Sequence, residues 1–144
     1  MPGQDTIKLL RECDAGVKMG ISSIGDVTET TGNKDFRKTL EKCKTEHEQL
    51  EKEIEKLLEK YNDDGKEPTA IAKGMSWMKT NMMLAMNDSD ETIADLITDG
   101  CNMGVKSLNK YLNKYKAADE VSKDIAKRLI NLEEKLAVDI RAYL

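Results

Sequence analysis

Few residues of this 144-residue chain could do chemistry. Its only histidine, His47, follows Cys43 by four positions, so a helix would place both side chains on one face. A thiolate and an imidazole one turn apart can share a single soft metal ion. Asp14 and Glu46 are the carboxylates a helical reading brings nearest, which makes Asp14, Cys43, Glu46 and His47 the candidate ligands for zinc or iron. A simpler reading needs no cofactor. Cys43 then acts as a small core hydrophobe. Asp14 and His47 form a buried pair, because an enclosed ionisable group requires a partner.

These residues must be carried by long helices. From Phe36 the apolar residues Leu40, Cys43, Leu50, Ile54 and Leu57 follow a heptad seam, and His47 falls on it where a hydrophobe is expected. The breaker cluster Asn62, Asp63, Asp64, Gly65 ends that helix, giving bounds of about 34–61. The preceding helix runs over 6–31 with Asp5 or Thr6 as its cap. Its seam is Ile7, Leu10, Asp14, Val17, Ile21 and Ile24, with Asp14 the one polar member. Gly32 and Asn33 make these two helices an antiparallel hairpin.

A second pair of helices spans 90–116 and 120–144, the first of them capped by Asp88 with Glu91. The last helix carries an all-apolar seam of Val121, Ile125, Leu129, Leu132, Leu136 and Ile140 or Tyr143, with Glu133 at its edge. Between the hairpins, 70–86 reads as a short helical crossover rich in methionine around Trp77. Met is flexible filler. If exposed, Trp77, Met78, Met82 and Met86 would form a docking face for another subunit or protein. The two halves also echo each other. Gly16-x-x-Met19-Gly20 and Gly100-x-x-Met103-Gly104 are each followed by an aliphatic, a serine and another aliphatic. Glycine inside a helix costs about 1 kcal/mol relative to alanine, so the repeat predicts close approach of the first and third long helices.

The arrangement is all-α: one domain over 1–144, two helical hairpins joined by a long crossover that holds a short helix. Four percent aromatic residues, 35% charged residues and a net charge of −4 mixed along every helix suit a helical bundle. The same mixing argues against a nucleic-acid or anionic-membrane surface. No apolar run reaches the roughly 20 residues of a bilayer span. The beginning of the chain lacks a secretory pattern, and three cysteines without tight spacing fit reduced thiols, so a cytoplasmic setting is expected.

The first helix with Asp14 and Gly16, the second with His47 at its middle, and the stretch from Ala72 through Trp77 to Lys79 together resemble the small bacterial ferritin-like four-helix bundles grouped as a domain of unknown function. The resemblance covers nearly the whole chain. It implies a ferritin-like fold and a bacterial cytoplasmic setting, and it carries no established activity. A ferritin-like di-iron site takes a carboxylate from each of two helices and a Glu-x-x-His pair from each of the other two. Here Lys44 stands three residues before His47, the last helix has no histidine, and Leu129 and Leu132 occupy its seam. A lysine among the ligands would oppose two divalent ions. The expected function is a non-catalytic interaction or structural module with a degenerate metal site, acting as a homodimer or with another protein. The alternative is a metal-binding redox or storage protein.

Overall fold

The computed structural model describes residues 3–68 and 89–144. Four long helices account for most of them: α1 (Gln4–Thr28), α2 (Lys34–Lys60), α3 (Asp90–Lys114) and α4 (Glu120–Asp139), followed by a 3-10 turn over Arg141–Tyr143. No strand occurs among the described residues. The expected crossover helix over 70–86 and its methionines lie outside them.

Local chemistry sets the helix boundaries. α1 stops at Thr28, three residues short of expectation, where the Thr28 hydroxyl donates back to the Ile24 carbonyl at 2.6 Å. Asn33 then caps α2, its side-chain oxygen accepting from the Asp35 and Phe36 amides. The expected caps of α1 do other work. Asp5 accepts the Ala117 amide and Thr6 the Asp119 amide, so both fasten the α3–α4 link to the start of α1. Ser89, one residue after the expected Asp88, caps α3. Asp119 caps α4.

The hairpin pairs α1–α2 and α3–α4 pack most extensively, α2 also packs on α4, and α1 packs on both α3 and α4. The core falls into two apolar halves. One gathers Leu10, Cys13, Val17, Leu50, Ile54, Leu108 and Leu129. The other gathers Ile24, Val27, Phe36, Leu40, Ile97, Cys101 and Leu136. Phe36 stacks on Tyr143 with ring centroids 4.2 Å apart, closing the second half.

Two seams differ from expectation. On α2, Leu58 is buried where Leu57 was expected. On α4 the buried residues are Ser122, Ile125, Ala126, Leu129, Ile130, Glu133 and Leu136, with Ile140 just past its end; of the expected seam, Leu132 is only partly buried and Val121 is 56% exposed. The heptad step therefore runs through small and polar residues that an apolar count passes over. Leu129→Ala should cost roughly 2–5 kcal/mol in urea denaturation, whereas Val121→Ala should stay within about 0.5 kcal/mol. A reversed order would refute this seam.

Candidate functional site

Between the two apolar halves each helix contributes one residue to a polar waist. Following the four-three step, α1 gives Gly20 between Val17 and Ile24, and α2 gives His47 between Cys43 and Leu50. α3 gives Gly104 between Cys101 and Leu108, and α4 gives Glu133 between Leu129 and Leu136. The His47 ring is wholly enclosed, and its Nε2 lies 2.9 Å from Glu133 Oε1. Its Nδ1 lies 2.8 Å from the Cys43 carbonyl oxygen and 3.5 Å from Cys43 Sγ. Burial works against the charged ring, but the contacts with Cys43 and Glu133 outweigh it and raise the imidazole pKa to about 10. The ring is then an imidazolium that donates Nε2–H to Glu133 and Nδ1–H to the backbone of its own helix.

The second glycine of the first motif makes room for this pair: a Cβ on Gly20 would stand 2.8 Å from His47 Cδ2. A Cβ on Gly104 would stand 3.6 Å from Glu133 Cδ, an ordinary contact. The first glycines do not meet across the helices as the repeat predicted. A Cβ on Gly16 would stand 3.7 Å from a Leu129 methyl, and one on Gly100 would meet nothing within 4 Å. Instead of a tight contact, α1 and α3 leave a groove of about 330 Å³ between them. Met19, Ile24, Val27, Ile97, Met103 and Leu108 wall it, and Leu129, Glu133 and Leu136 of α4 lie at its floor.

The four candidate metal ligands divide among separate places. Cys43 and His47 do adjoin, as their spacing required. Asp14 is buried but does not pair with His47. Its Oδ2 accepts Lys18 Nζ at 2.9 Å and the Lys66 amide at 3.0 Å. Gly65, at φ +78°, lets the chain pass so close that a Cβ there would run into that carboxylate. Lys18 also bridges to Glu67 at 3.0 Å, and Arg11 to Asp63, so this network ties the 63–67 link to α1. Glu46 is half-buried and borders a different opening, a cleft of about 140 Å³ between α2 and α4 that also exposes Cys43, Lys42, Lys135 and Asp139. Among the described residues no group of three or more His, Cys, Asp or Glu side chains is placed to hold a metal ion. Trp77, Met78, Met82 and Met86 lie outside the described residues.

The residue that sequence reasoning missed is Glu133, set at the edge of an apolar seam. The signal was present: stepping back from Ile140 and Leu136 by three and four lands on Glu133 and then Leu129. Burial, with Glu12 and Asp14 nearby, pushes Cys13 up to about 12. Burial and the adjacent Glu133 push Cys101 far upward as well. Comparison with protein-family models, curated proteins and solved structures found no match to this chain.

Two outcomes are expected. Gly20→Ala should destabilise the protein by roughly 1–3 kcal/mol through overpacking against His47. Gly100→Ala should instead add up to about 1 kcal/mol from helix propensity alone, and equal effects in thermal melts would contradict the waist. A folded-state pKa of about 10, above the ordinary 6.5, makes the His47 contribution complete below about pH 6.5 and lost as pH rises through about 10. The urea midpoint should therefore fall from neutral pH towards pH 10, and fall less steeply in Glu133→Gln.

Proposed function

We propose that this chain is a ferritin-like bundle that works as a non-catalytic interaction module, engaging its partner through the groove between α1 and α3. The single observation that carries the reading is the state of the waist. Both nitrogens of the only imidazole are committed to protein oxygens, and the groove opens directly above that closed pair. The ferritin-like connectivity is supported by where the described links end. Asp63 and Lys66 bond the first half of α1, while Asp90 bonds Thr31 beyond its far end. The described ends of the α2–α3 connection therefore lie near opposite ends of α1, which favours a long crossover. A cytoplasmic, bacterial setting belongs to the same proposal. No helix among the described residues is long and apolar enough to cross a membrane.

The partner this reading favours is a second copy of the chain. Met103, 70% exposed, stands on the groove rim beside glycines that let another helix approach closely. A mononuclear zinc or iron site on Asp14, Cys43, Glu46 and His47 has only the Cys43–His47 adjacency in its favour. The other two carboxylates belong to other networks, so the donor set does not fit a metal. Elemental analysis of freshly purified protein should show well under one metal per chain, and light scattering should give a dimer that Met103→Asp dissociates. Stoichiometric zinc or iron that His47→Ala removes, or a monomer at every concentration, would overturn the proposal.

A further inference from the structure

Cys43 is the thiol that the waist leaves open. Its sulfur faces His47 Nδ1 at 3.5 Å, and His47 Nε2 is held in turn by Glu133 at 2.9 Å. A thiol, an imidazolium and a carboxylate in sequence set a charged ring, held by a third group, against a nucleophile. The other two cysteines lack it, since neither Cys13 nor Cys101 has an imidazole against its sulfur. Access differs as well. Cys43 is 8% exposed and borders the α2–α4 cleft, against 0% for Cys13 and 2% for Cys101. That cleft, about 140 Å³, admits only small molecules, and Lys42 and Lys135 stand at it.

We propose that Cys43 is a histidine-assisted reactive thiol, oxidised to a sulfenic acid by small hydroperoxides entering the cleft between α2 and α4. The sulfur attacks one peroxide oxygen, and a sulfur–oxygen bond forms as the oxygen–oxygen bond breaks. The thiol proton passes to the departing oxygen, which leaves as water from hydrogen peroxide or as an alcohol from an alkyl hydroperoxide. Sulfur gives up two electrons and the peroxide takes them. The imidazolium facing the sulfur stabilises the negative charge that develops there during attack. His47 is the residue that assists, and Glu133 is a positioning residue that keeps the ring charged and oriented.

The test treats the full chain with hydrogen peroxide in the presence of dimedone, which traps sulfenic acids, and follows each cysteine peptide by mass spectrometry. Cys43 should be trapped at least about tenfold faster than Cys13 or Cys101, as the facing imidazolium and the access dictate. In Glu133→Gln the Cys43 rate should fall by about fivefold or more while the variant still melts cooperatively. Trapping of Cys43 no faster than Cys101 in the unaltered chain would overturn the proposal, and that comparison stands even if the variant fails to fold. A folded Glu133→Gln variant with an unchanged Cys43 rate would overturn it too.

Discussion

A hydrocarbon interior cannot solvate an imidazole, so an enclosed histidine must shed its proton or find an acid. In this chain it finds Glu133, from the last helix, 86 residues further along the sequence. The pair is the one place where α2 and α4 are joined by charge in the core, and every neighbouring choice follows from it. A buried ion pair is weak evidence for stability as such, since its desolvation can offset its attraction. Its stronger effect is on register. Sliding α4 by one turn against α2 would leave a carboxylate in hydrocarbon and an imidazole without its partner.

The waist also explains Gly20. An enclosed imidazole needs space that a side chain on the facing helix would fill. Gly20 yields that space from α1, while Gly104 of α3 lies in ordinary contact range of Glu133. The same helices then stand slightly apart over the pair, and the apolar groove is the result. Away from the waist, ion pairs lie on exposed helix faces, such as Arg128 with Glu53, and at the connections. The Asp14, Lys18 and Lys66 network holds the 63–67 link to α1, and Thr31 holds Asp90 at the opposite end.

Much of the helical arrangement was legible, because breaker clusters and heptad steps are local signals. Asn62 through Gly65 marked the end of α2 to within a residue, and His47 announced itself as a polar intruder on a seam. What was not legible depended on distant partners. Asp14 looked like the acid for His47 because both interrupted seams, yet Lys18, one turn along α1, takes that carboxylate, and the 63–67 link adds an amide that nothing in the spacing of α1 foretold. Glu133 was hidden because the α4 seam passes through Ser122 and Ala126, whose small side chains give no apolar signal, while exposed Val121 gives a false one. The glycine repeat was recognised as a packing device, but its object was the polar pair, not a second backbone.

In this bundle the only imidazole is locked to an acid, and the apolar groove lies over that lock. Because there is one histidine, its ring can be followed by heteronuclear NMR without ambiguity. The account requires both ring nitrogens to carry protons at neutral pH and the ring to titrate only near about 10. A ring that loses its proton at or below the ordinary value of 6.5 would show that Glu133 does not hold it, and the polar waist would fail as the organising constraint.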